Sequence, residues 1–168
     1  MARAARAKQS AWERHLNALL PLFGHRNWIV VADSAYPAQA KPGIETIVSG
    51  AGQLEVARKV ADAIAASRHV RANVYIDREL AFVAEKDAPG VTAYRDQLGK
   101  MLGSSARELP HEEIIAKLDQ VSQLFRVLIV KTKLAIPYTT VFFELDCGYW
   151  TPEAEQRLRK AVAAAQKE

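Results

Sequence analysis

The sequence predicts an α/β fold: one three-layer α/β/α domain around a central mixed, mostly parallel sheet. Helix-like and strand-like segments alternate along the chain. The stretch "WIVVAD" (28–33) is apolar and β-branched without alternation, the pattern of a strand covered on both faces. A length of 168 residues, 49% hydrophobic and 25% charged, matches one ordinary globular core.

Trp12, Leu16, Leu19, Leu20 and Phe23 share a helical face, and Gly24 follows where a left-handed C-terminal cap is expected. After the 28–33 strand, Pro37 and Pro42 mark a loop. "IETIVSG" reads as a short strand, and Leu54, Ala57, Ala61 and Ile64 space residues 53–67 as a helix. Residues 70–77 alternate like a strand, and 91–103 are helical. Pro110 breaks the chain before a helix whose Ile114, Leu118, Val121 and Phe125 share a face, with Glu112 and Glu113 favoured in its first turn by the helix dipole. Residues 126–132 and 138–145 read as the last strands. Thr151, Pro152 and Glu153 form an N-cap, a first helical position and a favourable charge for a final helix to about residue 166. The expected organisation is a flexible basic arm (1–11), a domain (12–150) and an additional C-terminal helix (151–168).

Net charge is +3 over residues 1–14, zero over 15–150 and +1 over 151–168, so the basic pI of about 9.3 belongs mostly to the ends. A neutral body argues against nucleic acid as a partner, since a binder would be expected to carry a basic stripe on its folded face. No apolar run approaches the roughly 18–20 residues that span a bilayer, so no membrane partner is expected. The single cysteine, Cys147, excludes an internal disulfide and suits a reducing compartment, with the cytoplasm as the default.

Strong catalytic motifs are absent: there is no G-x-S-x-G elbow, H-E-x-x-H or closely spaced cysteine pair, and "SGAG" (49–52) lacks the lysine of a phosphate loop. Chemistry must then come from scattered polar residues. His15 lies within the first helix and His69 in a polar turn, both read as solvated. His25 and His111 each stand at a helix end beside a strand, where α/β folds form ligand crevices. On pattern alone the plainer reading is favoured for each, a residue that ends or begins its helix. Asp33 closes a buried strand at the usual functional edge, where a carboxylate costs free energy unless paired; a turn with Ser34 is the other reading. His25, Asp33 and His111 would also suit a metal in type, but no tight ligand spacing supports one, and none is expected.

Taken together, "GHRNWIVVADSAYP", "VAEKDAPGVTAYRDQL" and "IVKTKLAIPYTTVFFELDCG" resemble the family of D-ribose pyranases and L-fucose mutarotases. Gly24, His25, Asp33 and Pro37 match its first motif; Thr132, Pro137 and Tyr138 match its second, with Lys131 in place of arginine. The similarity covers roughly residues 12–150. It implies a ribose-pyranase-like fold and a cofactor-free isomerase that opens and recloses the ring of a free monosaccharide. By family position, His25 would be the principal acid–base residue, Asp33 its orienting or sugar-binding partner and His111 the second imidazole. Tyr138 would contact the sugar, with Thr140, Lys131 and Asn27 as further binding positions. The resemblance also implies ring-shaped homo-oligomers, commonly decamers, with sites shared between neighbours. Asn27 stands where the family has aspartate, Thr140 where it has asparagine, and Lys133-Leu134 where it has Gly-Glu. A non-catalytic sugar-binding or regulatory relative is the alternative, and a scaffold using its terminal segments for partner contacts is a third.

For His25 to meet Asp33 in one chain, the break at residues 24–27 must fold back, because the seven intervening residues span roughly 23 Å when extended.

Overall fold

A computed structural model describes residues 9–166. Residues 1–8, most of the expected arm, lie outside them. The first helix, α1 (Ala11–Leu19), begins one residue before the expected boundary. The Glu13 carboxylate closes its first turn by accepting both the backbone N–H and the hydroxyl of Ser10.

The chain then builds β1 (Trp28–Ala32), β2 (Ile44–Val48), α2 (Gln53–Ala66), β3 (Val70–Asp77), α3 (Val91–Leu102), β4 (Ala106–Leu109), α4 (His111–Val121), β5 (Val127–Lys131), β6 (Val141–Cys147) and α5 (Pro152–Ala165). The six strands form one sheet in the order β2-β5-β1-β6-β3-β4. β1 pairs in parallel with β5, and β6 runs antiparallel to both β1 and β3. Five strands therefore point one way and β6 alone the other, the mixed, mostly parallel sheet expected.

β1 shows why its sequence does not alternate. Ile29 and Val31 enter the core beneath α1, α2 and α3, while Trp28, Val30 and Ala32 enter the opposite core beneath α4. A central strand with helices on both faces has no solvent side on which a polar residue could be placed. Fully burying each such aliphatic side chain contributes about 1.5–3 kcal/mol before the entropy of ordering is subtracted.

Three local expectations are corrected. β4 was not anticipated, because "AREL" is a short edge segment without a buried stripe. The last strand starts at Val141, since residues 137–138 form a turn and the buried Thr139 and Thr140 follow it without strand pairing. α1 gives way to a 3-10 turn (Leu20–Leu22), and the left-handed residue at the break is Arg26 (φ 74°), not Gly24. α5 has the expected Thr151 cap, with the hydroxyl accepting from Ala154 N, and none of its side chains is buried. Among the described residues no helix is long and apolar enough to cross a membrane.

Candidate functional site

The parallel direction of β1, β3, β4 and β5 brings their C-terminal ends to one edge of the sheet, together with the start of β6. Asp33 follows β1, Asp77 ends β3, and His111 opens α4 two residues after β4. Tyr138 comes from the turn before β6. A cleft of about 700 Å³ lies there, lined by Asp33, Tyr36, Gln39, His111 and Tyr138 among others. That volume is in the range of small-molecule sites.

Asp33 is partly exposed, and its Oδ1 accepts the N–H of Ala35 at 2.8 Å, so the turn reading holds for one oxygen. His111 is held more firmly. Its Nδ1 lies 3.0 Å from Oδ1 of Asp77, a residue only 1% exposed, and its backbone N–H is shared by both carboxylate oxygens of Glu79 at 3.0 Å. Glu79 thereby satisfies one of the free donors at the start of α4, where a negative charge is favoured. Burial pushes the Asp77 carboxyl above its ordinary value; the hydrogen bond and charge of His111 oppose this, and the charges of Glu79 and Asp33 reinforce it. Burial likewise pushes the Tyr36 phenol up, with the carboxylates of Asp77 and Asp119 adding to it.

Tyr138 packs edge-on against His111, with ring centroids 5.4 Å apart and planes at 86°. Its backbone is left-handed (φ 58°), a conformation that costs a non-glycine residue about 1–2 kcal/mol. Pro137 before it and Thr139 after it set the turn, the Thr139 hydroxyl donating to Ile136 O at 2.8 Å. Beneath the turn lies the buried Gln53. Its amide nitrogen donates to Val31 O and Thr139 O, each at 2.8 Å, and its amide oxygen accepts the Thr132 hydroxyl. The Tyr94 hydroxyl adds a 2.7 Å bond to Thr139 O. The segments carrying Asp33 and Tyr138 are thus tied to one side chain.

The remaining expected site residues do not join this cleft. His25 is exposed at the opposite edge, before β1, so about 16 Å of strand separates it from Asp33. The break does not fold back. Asn27 instead closes a local turn, its Oδ1 accepting from Gly24 N at 2.8 Å and its Nδ2 donating to Arg126 O at 3.1 Å. Pairing of His25 with Asp33 inside one chain is therefore corrected, and Asn27, expected as a binding position, does not line the cleft of its own chain. A metal set of His25, Asp33 and His111 cannot form within one chain for the same reason. Among the described residues no group of three or more His, Cys, Asp or Glu is placed to hold a metal ion.

Thr140 is 2% exposed and does not line the cleft, and neither does Lys131, which lies at the end of β5. His15 and His69 are not free in solvent: His15 Nε2 meets Glu45 at 2.6 Å, and His69 Nε2 lies 3.1 Å from the carbonyls of both Leu20 and Phe23, pinning the break after α1. Sequence reading missed Asp77, Glu79, Tyr36 and Gln53. Asp77 had a usable signal, because "VRANVYID" ends on a carboxylate at the same sheet edge as "WIVVAD".

This fold is that of an α/β domain with a cleft beyond its strand ends, the place where such sheets commonly form ligand crevices. The chain belongs to the RbsD / FucU transport protein family, whose model matches residues 6–150. Bacillus subtilis RbsD, solved in complex with D-ribose, is similar in fold at 18% identity, with a TM-score of 0.54 over 87% of this chain and 98% of that one. The fucose mutarotase of Streptococcus pneumoniae, solved with L-fucose, shares 16% identity and a TM-score of 0.53 over 86% and 98%. FucU from Bifidobacterium longum shares 15% and 0.53 over 79% and 92%. No curated protein sequence matches significantly. The expected family and fold class are thereby borne out.

Proposed function

We propose that this protein is a cytoplasmic, cofactor-free mutarotase or pyranase of a free monosaccharide. The observation that carries the reading is the convergence of Asp33, His111 and Tyr138 on one cleft at the functional edge of the sheet. Ring opening needs one group to take the proton of the anomeric hydroxyl while a second protonates the ring oxygen; C1–O5 breaks and a carbonyl forms at C1. Closure reverses both transfers, on the other face of C1 or from another hydroxyl. His111 is suited to one transfer, with Asp33 and Tyr138 orienting the sugar. Positioned acid–base groups typically contribute about 100- to 10,000-fold each.

His25 stands at the far edge of its own subunit, so it serves a cleft only in a neighbouring copy. We read the protein as a ring of such copies, in which each cleft is completed across an interface. The test is anomer and ring-form exchange by NMR saturation transfer over pentoses, hexoses and deoxyhexoses. Acceleration by wild type that is lost in both His25→Ala and His111→Ala supports the reading. No acceleration of any sugar sinks it, and saturable binding without exchange would select a sugar-binding protein instead.

A further inference from the structure

His111 is gripped from two sides, by the end of β3 with the residues after it and by the turn before β6. Glu79 takes its backbone N–H, Asp77 meets its Nδ1, and Tyr138 packs against its ring. The ring nitrogen left over is Nε2, on a side chain 31% exposed at the wall of the cleft. Asp77 is unusual for a mere structural tie. A neutral side chain could join β3 to α4, whereas Asp77 is a buried carboxylate whose Oδ2 has no hydrogen-bond partner, an arrangement that costs stability.

We propose that Asp77 is the positioning residue of this site, holding His111 as the Nδ1–H tautomer so that the Nε2 lone pair faces the cleft as the proton acceptor. The inference rests on the sugar-isomerase reading for its consequence in rate, though not for the tautomer itself. The chemistry follows from the pair. An Nδ1 lone pair turned toward the carboxylate would be repelled, whereas an Nδ1–H donates to it. When Nε2 takes the proton of the anomeric hydroxyl, the imidazolium keeps its Nδ1–H on Asp77, whose charge stabilises it. The proton on Nε2 goes back to O1 when the ring closes. Asp77 touches no substrate in this scheme and acts through His111 alone.

Long-range ¹H–¹⁵N correlation on protein carrying ¹⁵N-histidine reads the tautomer directly at neutral pH, with His111 identified by the signal missing in His111→Gln. The expected wild-type spectrum has the proton on Nδ1 and none on Nε2. In Asp77→Asn the carboxamide can turn its NH₂ to Nδ1 and favour Nε2–H. D-ribose and L-fucose exchange should then fall at least about 100-fold while sugar affinity changes less than about threefold. A wild-type His111 with its proton on Nε2 overturns the proposal, as does an Asp77→Asn protein with unchanged tautomer and rate. The wild-type spectrum decides even where Asp77→Asn does not fold. A protein that accelerates no sugar but shows the Nδ1–H tautomer refutes the isomerase reading and leaves the tautomer assignment intact.

Discussion

Gln53 holds the carbonyl of Thr139 at 2.8 Å with the same amide nitrogen that holds Val31 O, so one buried side chain spaces the Tyr138 turn from the end of β1. Gln53→Leu removes both donors and the acceptor of the Thr132 hydroxyl. Buried groups left unpaired cost about 1–3 kcal/mol each, and Thr139 O keeps its bond from Tyr94. A loss of about 2–4 kcal/mol in urea unfolding is expected. A loss below about 1 kcal/mol would mean that the network does not brace the turn.

Tyr138 offers a separate test of the turn. Asparagine tolerates the left-handed region and a β-branched residue does not, so Tyr138→Asn should be more stable than Tyr138→Ile by about 1–2 kcal/mol. Both should weaken sugar binding in calorimetry, because both remove the phenol from the cleft. Equal stabilities would contradict the backbone conformation at this position.

The glycines divide by what surrounds them. A Cβ on Gly148 would lie 2.7 Å from Arg68 O and 2.8 Å from Val70 N, both backbone atoms, whereas a Cβ on Gly24 meets nothing within 4 Å. Gly148→Ala should therefore cost about 1–3 kcal/mol and Gly24→Ala less than about 0.5 kcal/mol. A large effect at Gly24 would restore it as the left-handed cap that its place in the sequence suggests.

Glu13 and Glu85 contribute to the acid side of the stability profile, alongside Asp146, Glu153 and Glu155, which are also held below their ordinary values. Lys59 and Ser10 lower Glu13 to about 2, and the backbone N–H groups of Gly90 and Thr92 lower Glu85 to about 2, both from an ordinary 4.5. A depressed folded value means the unfolded chain binds more protons below pH 4.5. The contribution of each is present above that pH and lost as pH falls toward 2. Glu85→Gln should flatten the fall in stability between pH 4.5 and 2, measured by urea unfolding at each pH; an unchanged slope would refute the linkage.

The proposed sharing of each cleft between two copies makes its own prediction. His25→Ala and His111→Ala chains, unfolded together and reassembled, should recover roughly a quarter of wild-type exchange, the share of complete clefts in a randomly mixed ring. Two chains that each carried a complete site would recover none when mixed.

Much of this was legible in sequence because burial leaves a local record. "WIVVAD" shows a strand covered on both faces, and a carboxylate closing it marks the sheet edge where Asp33 lies. Thr151-Pro152 announces α5 in the same local way. β4 escaped notice because a four-residue edge strand buries too little to impose a pattern. Thr140 and Lys131 were drawn into the site by their place in a motif, yet one is buried and the other lies outside the cleft.

The sequence by itself determined the alternation of elements, the two-faced core strand and the motifs, with His25, Asp33 and Tyr138 in them, by which the chain resembles its family. Only the tertiary structure decided which of them meet. His25 and Asp33 are eight residues apart and at opposite ends of β1, because a strand carries its termini away from each other. Asp77 and His111 are 34 residues apart and in contact, because parallel strands deliver their C-terminal ends to one edge. Separation along the chain sets the reach of a segment, but strand direction decides the edge to which it delivers its last side chain.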